Sequence, residues 1–184
     1  ASEDFYFSLP AQPELVRLDP DYTILAKVDL QLPPDMMRRQ LKSDVIGRLL
    51  AVGKLGDRKD AESLKLLEEA LNGDGFHGVR SEAAKALKSP AAAPKLAELV
   101  KRDPDPIVRA HAFEALAPAE ALPLLPAAAK DSQPPLRQIA AERAAALGDP
   151  SLLEALLADR DWRVRSAAIA SLPRSRDAVG WLIA

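Results

Sequence analysis

The chain of 184 residues is predicted to be mainly α-helical, a right-handed α-solenoid of about five two-helix repeats that a short β segment precedes. Two observations predict this fold. A segment with arginine and small residues at fixed spacing recurs five times, whereas the first 33 residues alternate apolar and polar side chains. We therefore expect a β segment over residues 1–33 and helical repeats over residues 34–184.

The repeated segment has an apolar residue and an arginine, then alanine, a small residue and leucine at set positions. In the second repeat these are Val79, Arg80, Ala83, Ala86 and Leu87, and the third and fifth repeats follow the same pattern. The first and fourth repeats keep the arginine and the alanine three residues later but depart from the pattern after that. Small residues three and four positions apart let neighbouring helices approach closely, and larger apolar residues fill the space between repeats. The arginines are separated by 32, 29, 28 and 28 residues, a spacing typical of solenoids. They are Arg48, Arg80, Arg109, Arg137 and Arg165.

Each period is predicted to hold two helices, bounded by glycine, aspartate and proline. The first helices are expected at about 44–55, 77–88, 106–116, 134–147 and 162–172. The second helices carry a leucine-rich face and are expected at about 63–71, 95–100, 121–129 and 152–157. The last repeat would end in a short segment, 177–184, where Trp181 and Ile183 could cover its open side.

The first 33 residues predict short strands, since apolar and polar residues alternate over 5–9, 14–18 and 26–30. Asp19-Pro20-Asp21 supplies turn chemistry, because aspartate bonds its own backbone and proline fixes φ. Three short strands bury little surface by themselves. We interpret them as the last strands of a sheet that lies upstream, or as a flap on the helices, and expect the chain to be a fragment of a larger protein.

An aspartate precedes three of the five arginines by four residues, in the pairs Asp44/Arg48, Asp105/Arg109 and Asp161/Arg165. This spacing predicts an acid–base pair in the first turn of each helix, and the guanidinium could also reach loop carbonyls of the neighbouring repeat. Together with Arg80 and Arg137, these residues are interpreted as a structural ladder. The alternative is a stripe that binds an anion or a partner.

Three further residues are candidates for contact with a partner. Phe76 and His77 lie in the longest loop between helices, and Trp162 lies at the start of a helix. The alternative is that Phe76 and His77 pack locally and that Trp162 covers the neighbouring repeat.

Composition excludes most catalytic chemistry from this chain. Without cysteine it has no disulfide, no thiol nucleophile and no cysteine-ligated metal, and His77 and His111 cannot supply the three protein ligands of a histidine zinc site. We expect no catalytic residue, metal or cofactor here. No apolar run is long enough to span a membrane. A net charge of −2 makes nucleic acid an improbable partner, although Arg160, Arg163, Arg165, Arg174 and Arg176 form a local basic end.

The arginine-containing segments resemble HEAT repeats of the short kind, the PBS-lyase HEAT-like repeats, over residues 43–184. This resemblance is specific for architecture. It says little about function, because such arrays occur as scaffolds, lyases, peptidase appendages and DNA-repair glycosylases.

A second resemblance concerns zinc metallopeptidases of the aminopeptidase N-like family. Residues 16–28 are similar to the end of the family's β-sandwich, where a V-x-x-D-P-D-x-x-x-L turn leads into the C-terminal helical domain. Residues 73–84 resemble the D-x-F-x-G-V-R-x-E-A-A loop of members whose C-terminal domain consists of HEAT-like repeats. The resemblance implies an upstream catalytic domain in cis with its own zinc. A large subunit of the general transcription factor TFIID has the same layout, but its peptidase domain is degenerate.

Two classes of function follow. The zinc-binding H-E-x-x-H and the G-A-M-E-N motif of those peptidases do not occur in the 184 residues, so no catalytic residue carries over. The chain would then be a non-catalytic C-terminal domain that packs on the catalytic domain and shapes substrate access. The alternative is a stand-alone scaffold that binds a protein or peptide. A cytoplasmic or periplasmic location fits either class.

Overall fold

The computed structural model describes residues 3–21, 23–26, 31–58 and 60–172, and over these it is built from α-helices. Short 3₁₀ turns lie at Pro90–Ala92 and Leu122–Leu124. The helices are α1 Pro34–Gln40, α2 Val45–Gly56, α3 Ala61–Gly73, α4 His77–Ala86, α5 Ala93–Arg102, α6 Pro106–Ala115, α7 Pro118–Ala121, α8 Leu125–Ala128, α9 Pro134–Ala144, α10 Pro150–Leu157 and α11 Trp162–Ala170.

The helices form a repeat array in which each arginine-containing helix packs on the next one. These first helices, which we call A helices, are α2, α4, α6, α9 and α11, and consecutive members are in contact. The second helices of the repeats, the B helices, pack against the following A helix, as in α3 on α4, α5 on α6 and α10 on α11. The helical-repeat architecture predicted from the arginine spacing is confirmed.

Aspartate sets the start of several helices. The side chains of Asp44, Asp60, Asp105, Asp149 and Asp161 each accept a hydrogen bond from a backbone N–H in the first turn of the helix that follows. Such N-caps satisfy donors that have no partner within the helix.

The B helix of the third repeat differs from the continuous helix predicted at 121–129. It is divided into α7, a 3₁₀ turn and α8. Pro123 and Pro126 have no backbone N–H, and each proline ring disfavours helical geometry at the residue before it. The prediction overlooked these two prolines, which shorten both pieces to single turns.

Small residues line the contacts between A helices. The alanine three positions after each repeat arginine is at most 1% exposed, in the series Ala51, Ala83, Ala112, Ala140 and Ala168. Between α2 and α4 the approach is closer still, since a Cβ atom on Gly56 would lie 2.9 Å from Cβ of Ala86. Leucines of the B helices, including Leu67, Leu96 and Leu153, complete one continuous core.

The prediction of a β segment is wrong for the described residues of this region, because residues 3–21 and 23–26 contain no strand. A strand exists only where a second strand pairs with it, and none of these residues has such a neighbour. The segment is attached by ion pairs instead. Arg17 lies 2.6 Å from Asp44 at the start of α2, and Glu14 lies 2.8 Å from Arg39 on α1.

The turn at Asp19 does form. Asp19 has a φ of 45°, and its carboxylate accepts hydrogen bonds from the Thr23 hydroxyl at 2.8 Å and the Ile24 backbone N–H at 2.7 Å. These bonds, the one from Ile24 foremost, hold the pKa of Asp19 below its usual range. The turn chemistry predicted for Asp19-Pro20-Asp21 is therefore confirmed without the strands it was expected to join.

The predicted strand at 26–30 and the predicted final segment at 177–184, with Trp181 and Ile183, fall wholly or mostly outside the described residues. Of the helices in the described ranges, none is both long and apolar enough to cross a membrane.

Candidate protein-binding edge

A ladder of arginine and aspartate side chains runs along the array at the N-terminal ends of the A helices. Each rung joins an A-helix arginine to an aspartate in the loop before the next A helix. In the rung between α4 and α6, Nε and Nη2 of Arg80 donate to the two carboxylate oxygens of Asp103, both at 3.0 Å. The other rungs are Arg48–Asp74, Arg109–Asp131 and Arg137–Asp159, with nearest distances of 2.7, 2.8 and 2.7 Å.

Each ladder aspartate also receives the arginine of its own repeat, which makes the ladder continuous. Nη1 of Arg109 donates to the backbone carbonyl of Asp103 at 2.9 Å, while Arg80 holds the carboxylate of the same residue. Nη1 of Arg137 donates in the same way to the carbonyl of Asp131 at 2.8 Å. One aspartate thus links two consecutive repeats, through its side chain to the first and through its main chain to the second.

The ladder aspartates also shape the loops that contain them. The carboxylate of Asp103 accepts the backbone N–H of Asp105 at 2.9 Å, and Asp131 and Asp159 accept in the same way from the residue two positions later. With bidentate arginine on one side and a backbone amide on the other, the carboxylate has several charge-assisted hydrogen bonds. The loop entering each A helix is thereby fixed before the N-cap is reached.

Burial makes these pairs different from ordinary surface ion pairs. The side chains of Arg137 and Asp159 are 5% and 10% exposed. The hydrogen bond from Arg137 lowers the pKa of Asp159, and the reciprocal bond raises the pKa of Arg137. The pKa of Arg80 is raised in the same way by Asp103. Arg137 and Asp159 therefore both stay ionised, each stabilised by the other.

The predicted pairing of each arginine with the aspartate four residues before it is wrong. Asp44, Asp105 and Asp161 are N-caps, and their carboxylates point towards the backbone N–H groups of the first turn. The carboxylate bound by Arg48 is that of Asp74, and the one bound by Arg109 is that of Asp131. The guanidinium was also expected to reach carbonyls of the neighbouring repeat's loop. It does reach that loop, but the group it binds there is a carboxylate, and the carbonyls it binds belong to the loop of its own repeat.

The sequence does contain a signal for the true partners. An aspartate precedes the arginine by six residues in every repeat except the first, which has Lys42 at that position. These residues are Asp74, Asp103, Asp131 and Asp159. A spacing of six matches no face of a helix, so the helical search for i,i+4 pairs passed over it.

The two ends of the ladder are built differently. At the first repeat, Asp44 combines its capping role with the ion pair to Arg17 of the N-terminal segment. At the fifth repeat, Nη1 of Arg165 donates to the carbonyls of Asp159 and Arg160, and no described carboxylate faces the rest of its guanidinium. In the same repeat Arg163 binds Asp161 at 2.8 Å. The hydrogen bond from Arg163 is the main reason why the pKa of Asp161 is lowered to about 2.

A row of exposed apolar side chains also lies along this edge. It consists of Ile46, Phe76, Ile107 and Trp162, which are 45%, 37%, 38% and 67% exposed. Each lies at the start of an A helix, either in its first turn or at its N-cap position. Since consecutive A helices pack side by side, these starts follow one another along one edge of the array. In the fourth repeat the first turn carries Pro134 and Pro135.

The three residues singled out for contact with a partner all lie at this edge. The ring centroids of Phe76 and His77 lie 4.8 Å apart with the ring planes tilted by 51°, and Nδ1 of His77 lies 3.5 Å from a carboxylate oxygen of Asp105 in the next repeat. Trp162, with two thirds of its surface exposed, covers little of the neighbouring repeat. Whether any of the three contacts a partner stays a prediction.

Two contacts between A helices were not predicted from the sequence. Arg143 of α9 donates to the backbone carbonyls of Phe113 and Leu116, the latter at 2.7 Å, and stands 5.1 Å above the Phe113 ring. It therefore caps the C-terminus of α6 from the adjacent repeat. Ser81 of α4 is hydrogen-bonded to His111 of α6, and burial lowers the pKa of that imidazole.

The described residues offer no group of three or more histidine, aspartate or glutamate side chains that could hold a metal ion. The four ladder carboxylates are already bound by arginine, and the guanidinium groups of Arg48, Arg80, Arg109 and Arg137 are bound by carboxylate. A free anion would have to displace an intramolecular partner from each of these four rungs. The edge therefore combines exposed apolar surface with four neutralised ion pairs.

Comparison with known families agrees with this architecture. Residues 37–117 match the family model for HEAT repeats, which supports HEAT-like repeats in this chain. The match covers the repeats from α1 to the end of α6. No curated protein matches the chain.

Proposed function

We propose that this chain is a non-catalytic helical-repeat scaffold that binds a protein or peptide along the edge formed by the starts of its A helices. The observation that carries the proposal is the row of Ile46, Phe76, Ile107 and Trp162, because exposed apolar residues repeated along one edge are characteristic of interaction surfaces. HEAT repeats supply the scaffold.

The arginine–aspartate ladder has a structural part in this proposal. Each rung ties the loop before one A helix to the A helix of the preceding repeat, as Arg109 does with Asp131. The ladder therefore sets the distance between successive members of the apolar row. Because this spacing is rigid, the surface loses less conformational entropy when a partner binds.

The test compares proteins captured from the source cells by matched variants. The edge variant carries Ile107→Glu and Trp162→Glu. The control carries Leu122→Glu, in the 3₁₀ turn between α7 and α8, and Ile169→Glu, in α11. These apolar residues are of similar exposure, 48% and 51%. We expect quantitative mass spectrometry to find proteins that wild type and control retain and the edge variant loses. Equal capture by both variants would contradict the assignment of the binding edge.

A second candidate is that the scaffold is the C-terminal domain of an aminopeptidase N-like metallopeptidase and packs on its catalytic domain. It is supported by the resemblance of residues 16–28 and 73–84 to that family. It is also supported by the extended run Phe5, Tyr6 and Phe7, which is 71%, 91% and 83% exposed. Three consecutive exposed aromatic residues are suited to pairing with a sheet, because aromatic side chains are enriched in strands.

This second candidate is tested by the intact mass of the native protein in its source cells. A polypeptide several times larger than 19.8 kDa, with H-E-x-x-H in its upstream sequence, is the expected result. A mass near 19.8 kDa would leave the stand-alone scaffold. The zinc of this candidate belongs to the upstream domain, since no family ligand motif occurs in this chain.

A further inference from the structure

α11 is the last A helix of the described residues, and its outer side differs from that of the others. Four positions after the repeat arginine, the first four repeats have a side chain that is 0% exposed, at Val52, Ala84, Phe113 and Ala141. This position faces the next repeat, since the Phe113 ring lies beneath Arg143 of α9. In α11 the same position is Ile169, which is 51% exposed. An apolar side chain therefore lies in solvent at a position where the other A helices are covered.

Three more residues of α11 lie on the same side of the helix as Ile169. Ser166 is exposed, whereas Ser81, at the same position of α4, is 4% exposed and hydrogen-bonded to His111 of the next A helix. Trp162 and Arg165 each precede one of these two residues by four positions, so they share the face. We call this surface the end face, and it consists of Trp162, Arg165, Ser166 and Ile169.

Arg165 lacks the acid that completes a rung of the ladder. Its Nη1 donates to the carbonyls of Asp159 and Arg160 at 2.8 and 3.1 Å, as Nη1 of Arg137 does to two carbonyls of its own loop. In Arg137 the other two donors, Nε and Nη2, bind a carboxylate. No described carboxylate meets these donors of Arg165. Rungs join residues 22 to 26 positions apart, and no aspartate of the sequence follows Arg165 at that spacing.

A second copy of this chain is poorly matched to the end face. In its first repeat, Lys42 stands where the other repeats have the ladder aspartate, and the nearby Asp44 is already bound by Arg17. Two end faces brought together would place one Arg165 against another, and like charges across an interface disfavour association. The positive charge of Arg165 therefore favours an acidic partner of a different sequence.

We propose that the end face binds a helix of a partner protein in the manner of a further repeat. An aspartate in the loop before that helix pairs with Nε and Nη2 of Arg165, and small residues of the helix pack over Ile169. This proposal does not rest on the edge proposed above. Ile46, Phe76 and Ile107 lie in other repeats, so Ile169→Glu releases a partner of the end face and spares a partner of the edge.

The probe is a peptide copy of residues 157–172, which contains Asp159 and α11 and packs on α9 within the array. Ser166→Lys and Ala170→Glu in the peptide, joined by a lactam bridge, stabilise its helix at two positions that are exposed in α11. The control peptide carries Asp159→Asn as well. Its amide cannot form the ion pair with Arg165.

The measurement is ¹⁹F NMR on the full chain labelled with 5-fluorotryptophan. The sequence contains two tryptophans, and a Trp162→Phe variant identifies the signal of Trp162. We expect this signal to move on titration with the aspartate peptide. One charge-assisted pair predicts a Kd roughly tenfold lower for the aspartate peptide than for the control peptide.

Four variants of the full chain complete the test. Arg165→Met should bind the two peptides equally, whereas Arg160→Met removes a neighbouring positive charge and should keep the preference for aspartate. Ile169→Glu should weaken the binding of both peptides, and Ile107→Glu, at the edge, should weaken neither. The proposal is overturned if neither peptide moves the Trp162 signal, as for a chain that covers its own end face. It is also overturned if wild type does not distinguish the peptides or if Arg165→Met still does.

Discussion

The helical array and the N-terminal segment both carry a regular pattern of apolar residues, yet they behave in opposite ways. In the array, the patterned residues of the A helices are buried, as with Val79 and Val164 at 0% exposure. In the segment, the patterned residues Phe5, Tyr6 and Phe7 remain exposed. A pattern therefore predicts which side of an element is apolar, but not whether this chain supplies the surface that covers it.

The difference has a physical cause in where each element finds its partner. A helix completes its own backbone hydrogen bonds, and its apolar face is met by the equivalent helix about one repeat further along. A strand completes its hydrogen bonds only through another strand. The array contains its own partners, whereas the described part of the segment does not.

The ion pairs of the two regions differ in the same way. The Arg137–Asp159 rung is 5% and 10% exposed and lies among backbone groups that both residues also bind. The Arg39–Glu14 pair between segment and α1 is 53% and 76% exposed. Buried pairs are costly to break, whereas pairs in solvent contribute little to stability. Three predictions test this contrast.

The largest effect is expected for Arg137→Ala. This substitution leaves the carboxylate of Asp159 buried without its arginine and removes the donor from the carbonyl of Asp131. We expect the free energy of unfolding to fall by about 3 kcal/mol or more, measured by urea denaturation. The matched control is Arg165→Ala, at the equivalent position of the fifth repeat, where the arginine donates to two carbonyls. It should cost about 1 kcal/mol.

Equal losses for Arg137→Ala and Arg165→Ala would contradict the role assigned to the rung. The two arginines have the same spacing in sequence and the same contacts to their own loops. Among the described contacts, Arg137 also binds a carboxylate of the next repeat, whereas Arg165 does not. Similar effects would mean that loop contacts alone stabilise the array.

How far the sequence predicts this molecule can be seen from the arginines themselves. Their period located every A helix, because the alanine three residues later must meet an adjacent helix, and Ala83 and Ala112 are fully buried. The same pattern predicted the wrong acidic partner for arginine, because an i,i+4 pair lies within one helix whereas the observed ion pair joins two consecutive repeats. The contact of Arg143 with α6 could not be predicted, because the carbonyls it binds belong to residues 27 to 30 positions earlier in the sequence.

A second prediction concerns acid, with an effect smaller than that of Arg137→Ala. The folded state lowers the pKa of Asp159 through Arg137, so the folded protein binds fewer protons there than the unfolded chain. Stability gained from that rung is present above the unfolded pKa and is lost as pH falls from about 4 through the folded value. We expect the urea midpoint to decrease steeply between pH 4 and pH 2.

The double variant Arg137→Met/Asp159→Leu replaces one rung with apolar side chains of similar size. Its urea midpoint should decrease less over the same acid range. At pH 7 its stability should fall by less than that of Arg137→Ala, because no carboxylate is left buried without its arginine, although the lost donors to the carbonyls of Asp131 and Ser132 still cost about 1 kcal/mol. The other rungs remain, so part of the acid sensitivity should persist. An acid response identical to that of wild type would show that the Arg137–Asp159 rung does not contribute to it.

The smallest effect is expected for Glu14→Gln, which removes the ion pair between the segment and Arg39 of α1. Both side chains are largely in solvent, so the free energy of unfolding should fall by about 0.5 kcal/mol or less, and salt should abolish the difference. Glu82→Gln is the matched control, because it removes the exposed pair with Lys85 within α4. A loss well above that of the control would mean that the segment contributes to the stability of the array as the ladder does, because an isolated solvent-exposed pair cannot account for it.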